Sequence, residues 1–438
     1  MKLSRNAIRA RVKHDLPITF SEERISAHGG LELFRRYLVA IDLPGRLRRA
    51  VGDAGDYGAA RLVLVVIGLL LAGGRRLAHL AVLSRDPMLL RFAGVHRLPA
   101  DRTVARWMAG AVQTVVEALA ALVRDIAHDA IASLALSRLT LDLDGSVLRV
   151  CGAAEGAERG FSPHHPKDRS YYPLTAHLAQ TGHLLRVWNR PGNVHDSHNA
   201  EGFLRTVLQD LRARFGRHPR LEVRLDGAFF HPEILRFLDG EGLDYAVKVP
   251  LWKWLGLRER IAARSHWRSV DATVSGFEVT LPIPQWDRVQ RVVVYRKRVF
   301  HETARNFQLD LFTPDDGHYE YSAIATNLSL GVAALWHFMA GRGGHEKTLG
   351  ELKQQLAFDA IPSHDLQANA LWQQLSVLTH SLVRSFQLFL GAPARPRSRK
   401  RTVLFVFRSL QTLRFTLFDQ PARIVRPAGP SCGSQSRP

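Results

Sequence analysis

The sequence predicts an α/β protein: a mixed sheet flanked by helices, preceded by a helical region and interrupted by a β-rich insertion. Three observations lead there. Apolar residues recur at helical spacing through the first 133 residues; at Leu139 the pattern changes to alternation, after which strands and helices take turns; and from about residue 267 to 311 strand formers dominate between turn residues. Strands alternating with helices imply helices packed on a sheet, because each element buries its apolar face against the other.

In order along the chain, ISAHGGLELFRRYLVAI, RLVLVVIGLLL and AVQTVVEALAALVRDIAHDAI read as helices of a region spanning residues 1–133. Between them, DPMLLRFAGVHRLPADRTVARWM holds two short helical stretches around Gly94 and Pro99, with Asp101 placed to cap the second. Arg102, Thr103 and Arg106 then become donors on an exposed helix, a shape suited to a DNA groove, although a plain pair of surface helices gives the same pattern. From Leu139, LTLDLDGSVLRV, YYPLTAHLAQ and LLRVWNRPG read as strands, EGFLRTVLQDLRARF as an amphipathic helix, RLEVRLDGAFF as a strand, HPEILRFLDGEG as a helix and LDYAVKV as a strand; together they fill residues 134–261. The β-rich insertion, 262–316, contains HWRSVDATVSGFEVTLPI, RVQRVVVYRKRV and NFQLDLF. YSAIATNL returns to the main sheet, and 317–395 go on to the helix carrying Glu346 and the long helix LQANALWQQLSVLTHSLVRSFQLFL. Residues 396–438 form a basic tail; the last 48 residues carry ten Lys or Arg against one acidic residue, which fits either contact with a phosphate backbone or a solvated terminus.

Composition narrows the function classes. Apolar residues make up 46% and charged residues 23%, the balance of a folded chain. Lys and Arg number 60 against 40 Asp and Glu, and the resulting formal charge of +20 attracts nucleic acid or an anionic membrane. The longest apolar run, residues 62–74, stops at Arg75 and Arg76. It falls short of the ~20 residues that span a bilayer, and the first thirty residues lack the order of a signal peptide, so a soluble cytoplasmic protein with no membrane partner is expected. Cys151 and Cys432 lie far apart without a CxxC, which argues against a disulfide framework or a cysteine zinc cluster. GRGG at 341–344 lacks the Gly-Lys-Ser/Thr that would make it a phosphate loop.

Against this basic background, Asp144, Asp226 and Glu346 stand out as carboxylates in three separate elements. In LDLDGS the alternation puts Asp142 and Asp144 on one strand face; Asp144, nearer the end, is the preferred ligand and Asp142 the alternative. RLDGAFF ends likewise in Asp226-Gly227, and parallel neighbouring strands would carry both carboxylates to one sheet edge, though Asp-Gly is also an ordinary turn pair. In GRGGHEKTLGELKQQLAFD, Arg342, Glu346 and Lys353 share one helix side beside an apolar stripe of Leu349, Leu352 and Leu356, which lets the helix pack on the sheet while pointing Glu346 at its edge. A surface salt-bridge ladder has the same spacing. If the three carboxylates meet, they form a cage for two divalent ions on a surface that attracts a polyanion.

Arg342 and Lys353 are candidate phosphate clamps, since both can neutralise a DNA backbone and neither can hold Mg²⁺. HHPKDRSYYP, with His164, His165, Lys167 and Arg169, reads as a basic loop near DNA rather than a zinc site. His345 faces another side of its helix and is no obvious base. Trp188, Trp252 and Trp254 fit either a stacking surface for a flipped base or the core, where tryptophan is more often found.

These blocks resemble DDE transposases of the IS4-like superfamily, and more narrowly the IS1380 family of bacterial insertion sequences. That superfamily's third block reads Tyr, two residues, Arg, three residues, Glu, six residues, Lys; Arg342, Glu346 and Lys353 fall in register, and Met339 stands at the Tyr position as a departure. Asp144-Gly145-Ser146 resembles the first block, Arg224-Leu225-Asp226-Gly227-Ala228-Phe229 the second, Gly192-Asn193 the intervening Gly-Asn, and ATNL at 325–328 the strand before the Glu helix. The resemblance covers roughly residues 20 to 415. It implies an RNase H-like catalytic domain with Asp144, Asp226 and Glu346 both as catalytic residues and as ligands of two Mg²⁺ ions, for which Mn²⁺ can substitute. It implies water attacking the transposon end, the freed 3′-hydroxyl attacking target DNA, and a homodimer on paired terminal inverted repeats in a bacterial, nucleoid-associated setting. The competing readings are a catalytically inactive sequence-specific DNA-binding remnant and a metal-dependent nuclease that cuts without joining.

Overall fold

Nine strands form one sheet: β1 (Arg138–Gly145), β2 (Leu174–Leu178), β3 (Leu184–Trp188), β4 (Arg220–Leu225), β5 (Asp244–Lys248), β6 (Arg268–Ser269), β7 (Val274–Ile283), β8 (Arg288–Arg298) and β9 (Tyr319–Thr326). The structure is a computed structural model describing residues 25–160, 167–299, 319–396 and 402–425. The strand order is β6-β7-β8-β9-β5-β4-β1-β2-β3. β1 and β4 are parallel, as are β4 and β5, and every other pairing in the sheet is antiparallel. The β3-β2-β1-β4-β5 portion, with helices over it, gives the mixed α/β layout of an RNase H-like fold.

The β-rich segment does not form a layer of its own. β7 and β8 pair along their length, and β8 pairs in turn with β9, so the hairpin lengthens the main sheet beyond its fifth strand. NFQLDLF lies outside the described residues.

Alternation along β1 decides which layer each face meets. Leu139, Leu141 and Leu143 are at most 1% exposed and join a core with Phe203, Leu204, Val207, Leu208 and Leu211 of the helix Ala200–Phe215. The opposite face is polar and equally buried: Thr140, Asp142, Thr175, His177, Glu222 and Arg224 are each at most 2% exposed. Burying that many polar groups is tolerable only when each finds a partner. Here Arg224 grips Asp142 through Nε (2.6 Å) and Nη2 (2.8 Å), His177 Nδ1 lies 3.2 Å from Asp142 Oδ2, and Thr140 Oγ1 donates to Glu222 at 2.9 Å.

The helices are α1 (Leu31–Ala40), α2 (Leu43–Val51), α3 (Ala59–Leu71), α4 (Pro87–Ala93), α5 (Asp101–Ala109), α6 (Gln113–Ala132), α7 (Ala200–Phe215), α8 (Pro232–Gly240), α9 (Val332–Ala340), α10 (Gly343–Leu356) and α11 (Leu366–Phe389), besides shorter turns. Every residue of α3 except Arg61 is buried, so the longest apolar run is a core helix. Among the described residues, no single helix is long and apolar enough to cross a membrane. α4 is capped by Asp86, whose Oδ1 accepts from the backbone N–H groups of Met88 (2.9 Å) and Leu89 (3.1 Å). Asp101 is not the cap of α5: Ala100 holds that position, and Asp101 sits in the first turn, where a carboxylate meets the positive end of the helix.

The segment read as a basic tail is largely structural where described. Leu410, Leu413 and Phe418 are at most 4% exposed and share a core with Phe34 of α1 and Phe386 of α11. Arg414 donates from Nε to Leu71 O (2.8 Å) and from Nη2 to Leu70 O (2.6 Å), using its charge on the carbonyl end of α3. Ala422 and Arg423 then pair antiparallel with Ile25 and Ser26. Charge counting left contact with a phosphate backbone and a solvated terminus as alternatives; the apolar residues between the arginines instead bury part of this segment in the core.

Candidate active site

Asp144 is the penultimate residue of β1, and Asp226 follows the last residue of β4. Parallel pairing aligns Asp142 with Arg224, so the next residues of both strands emerge at one edge of the sheet. Asp226 also starts the single turn 227–229, where its carboxylate accepts from the Gly227 N–H. Glu346 lies in the first turn of α10 with its side chain 66% exposed.

The three carboxylates converge on Arg342, the residue that precedes α10. Its Nη2 lies 2.9 Å from Asp144 Oδ2 and 3.3 Å from Asp226 Oδ2, and its Nη1 lies 3.5 Å from Glu346 Oε1. The Arg342 side chain is only 5% exposed and serves here as a buried counter-charge to the three carboxylates. Lys248, at the end of β5, adds a second cation 3.8 Å from Asp226 Oδ1. Lys353, a turn and more along α10, is partly buried and donates to Val147 O at 3.1 Å; burial lowers its pKa while the charges of Asp359 and Asp144 oppose that.

Electrostatics separate the two aspartates. Burial pushes the Asp144 carboxyl up to about 7; Arg342 opposes this, and the negative charges of Asp226, Asp196 and Glu346 reinforce it. Burial acts on Asp226 in the same sense, but Arg342, Lys248 and the Gly227 N–H hold its pKa below the ordinary value. The two share one guanidinium, so they titrate as a coupled pair in which Asp144 keeps its proton longer.

The donor set is all carboxylate oxygen, which suits a hard divalent cation such as Mg²⁺. Among the described residues, however, no group of three His, Cys, Asp or Glu is placed to hold a metal ion. The positive charge beside the triad is supplied by the Arg342 guanidinium, which lies near all three carboxylates. The residues therefore fit a divalent ion by chemistry, with the guanidinium as the group an ion would displace.

Asp142, the alternative ligand, is removed from consideration. It is completely buried, and although burial alone would raise its pKa, Arg224 and His177 hold it below the ordinary carboxylate value. α10 also packs differently from the sequence expectation. Its leucine stripe joins α3 and α11 in one core, while the side facing the sheet is polar: His345 Nε2 lies 2.8 Å from Thr175 Oγ1, Thr348 Oγ1 lies 3.2 Å from His177 Nε2, and the two imidazoles stack at 4.8 Å. Burial lowers the pKa of both imidazoles, and His345, fully buried against Thr175 and His177, is a packing residue. Met339, at the departure from the family pattern, is 6% exposed and packs with Ala246, Val293 and Ile324.

Other sequence-predicted residues lie elsewhere on the fold. Arg102 and Arg106 are exposed on α5; Lys167 is exposed, as is Arg169 at the start of the central strand of a small three-stranded sheet; His164 and His165 lie outside the described residues. Trp188, Trp252 and Trp254 are 37%, 40% and 46% exposed rather than core. Trp252 and Trp254 stack at 5.5 Å, and Trp286 meets Trp254 edge-on at 5.6 Å. Sequence reasoning missed Lys248, whose only signal is a lone cation closing the apolar strand DYAVK, and the group formed by Asp196, Tyr172 and Arg190. Beside the triad opens a cavity of about 360 Å³ lined by Lys248, Trp336, Met339, Arg342 and Glu346 among others.

The fold is similar to a solved structure of the piggyBac transposase in a synaptic complex with hairpin DNA, at 11% sequence identity, covering 88% of this chain and 80% of that one, with a TM-score of 0.46. No curated protein matches the chain. Residues 9–429 match the family described as Transposase DDE domain group 1, and the chain, with its acidic residues at two parallel strand ends and a helix start, belongs to that family.

Proposed function

We propose that this protein is a DNA transposase that cleaves DNA at transposon ends and joins them to a target, of the IS1380 type within the IS4-like group. The observation that supports it most is the meeting of Asp144, Asp226 and Glu346, from three separate elements, around Arg342 in a chain of the DDE family.

Asp144, Asp226 and Glu346 would hold two Mg²⁺ ions, with Mn²⁺ able to replace them; bound there, the ions supply activation of the attacking oxygen and stabilisation of the leaving one. The rest falls to the chain itself. Asp144 gives up the proton that burial lets it keep near neutrality. Arg342 would have to turn from the carboxylates to meet a non-bridging phosphate oxygen, and Lys248 offers a second charge from β5. The exposed Arg102 and Arg106 on α5, with Lys167 and Arg169, supply contacts to the DNA backbone outside the site. The partners in this reading are terminal inverted repeats and target DNA, with a homodimer pairing two ends in the bacterial cytoplasm.

The test is cleavage and strand transfer on a duplex carrying the DNA that flanks the gene, with Mg²⁺, comparing the intact protein with Asp144→Ala, Asp226→Ala and Glu346→Ala. Joined products from the intact protein and none from the three variants support the reading. Cleavage without joining indicates a nuclease, and sequence-specific binding without cleavage indicates an inactive remnant.

A further inference from the structure

A fourth carboxylate stands against the first. Asp196 lies in the loop after β3, four residues beyond Gly192, and its side chain folds back over the end of β1. A Cβ on Gly145 would sit 2.3 Å from Asp196 Oδ1 and 2.4 Å from the Tyr172 ring, so only glycine at 145 lets the Asp196–Tyr172 pair press against the residue following Asp144. The charge of Asp196 acts on Asp144, and that of Asp226 acts on Asp196. Three acidic groups are thus held within mutual influence where repulsion should drive them apart.

Asp196 is placed there deliberately. Tyr172 Oη donates to Asp196 Oδ2 at 2.8 Å, and Arg190, with a side chain only 1% exposed, faces it from the other side. Arg190 is itself fixed: Nε donates to Tyr172 O (3.1 Å), Nη1 to His198 O (3.2 Å) and His195 O (3.4 Å), and the guanidinium lies over the Tyr172 ring at 5.5 Å. Its remaining nitrogen, Nη2, stops 3.7 Å short of Asp196 Oδ1, and neither atom has a hydrogen-bond partner although both are buried. A buried charge left half-satisfied is costly, so the Asp196 carboxylate keeps accepting capacity that Tyr172 and Arg190 do not use up. Mg²⁺ gives up its water reluctantly and needs acceptors for the molecules it keeps.

We propose that Asp196, oriented by Tyr172 and Arg190, is a positioning residue of the active site that holds a hydrated divalent cation at Asp144 by accepting hydrogen bonds from the water the cation carries. This rests on reading Asp144 as a metal ligand. The segment containing Gly192 and Asn193, which the triad alone leaves without a role, then serves to carry Asp196 to the site.

The test uses the full-length protein without DNA and reads Mn²⁺ binding by the loss of the free-ion electron paramagnetic resonance signal, together with the thermal midpoint in the absence of metal. Asp196→Asn should weaken Mn²⁺ binding about ten- to hundred-fold, as loss of an outer-sphere partner does, without lowering the metal-free midpoint, because it removes a repulsive charge. Asp196→Glu should recover part of the affinity, and Tyr172→Phe should lose affinity in the same direction, which keeps the inference testable if one variant folds poorly. Mn²⁺ affinity within twofold of the unmodified protein in both Asp196→Asn and Tyr172→Phe overturns the inference. If Asp144→Asn abolishes binding in that case, the reading of the triad stands and only the part given to Asp196 falls; if Asp144→Asn also binds normally, both fall.

Discussion

Arg224 and Asp142 face each other across the parallel strands β4 and β1 as a fully buried, two-pronged ion pair, with nitrogen–oxygen distances of 2.6 and 2.8 Å. The pair sits two residues before each strand-end aspartate, so it fixes the register on which the meeting of Asp144 and Asp226 depends. Removing one member strands a charge in the interior. Arg224→Met or Asp142→Asn should each cost about 3–5 kcal/mol, whereas Asp142→Leu combined with Arg224→Met should lose less than either alone. Chemical denaturation of the three variants checks the order.

Arg342 makes a separate prediction about the metal-free protein. With its guanidinium gone, the three carboxylates keep Lys248, 3.8 Å from Asp226, and the more distant charge of Lys353 to oppose them. Arg342→Gln should lower the metal-free melting midpoint and enlarge the rise on adding Mg²⁺, because the cation then replaces a missing charge instead of competing with one. Thermal melts with and without Mg²⁺ measure both; an unchanged Mg²⁺ effect would show that the arginine does not compete with the ion.

The Asp144 carboxyl, at 3.8 in a free chain and about 7 here, binds more protons in the folded state across that interval. Its contribution to stability is therefore greatest at low pH and declines as pH rises through the window. Buried neutral histidines such as His177 and His345 act in the opposite sense, so the useful quantity is the difference between the unmodified protein and Asp144→Asn. That difference should shrink, then change sign against the acid, between about pH 4 and 7 in melts without metal. Mg²⁺ affinity should rise over the same range, since the proton must leave before the ion can bind.

On α5, Arg102 and Arg106 are exposed and point away from the buried Val104 and Met108. Replacing each by alanine should weaken DNA binding across all sequences and reduce the salt slope of the binding constant by about 0.9 per lost phosphate contact. Fluorescence anisotropy titrations between low and moderate salt would show it; an unchanged slope would return α5 to an ordinary surface helix.

What could be read from the sequence was whatever repeats locally. Alternation in LDLDGS and RLEVRLDG located two strand ends with their aspartates, and the spacing from Arg342 to Glu346 located a helix start. Contacts between distant segments left no such trace. Nothing in GRGG says that Arg342 turns inward to the strands, nothing in the spacing of Leu349 and Leu352 distinguishes a sheet from α3 and α11 as their partner, and a count of arginines cannot show Arg414 bound to the end of α3. Lys248 and Asp196 were missed for the same reason: their neighbours in space come from other strands and loops.

The pairing of Ile25 and Ser26 with Ala422 and Arg423, together with Phe418 lodged beside Phe34, has a consequence for biosynthesis. Phe34 is synthesised almost four hundred residues before Phe418, so the core they share cannot close until residue 418 has been made.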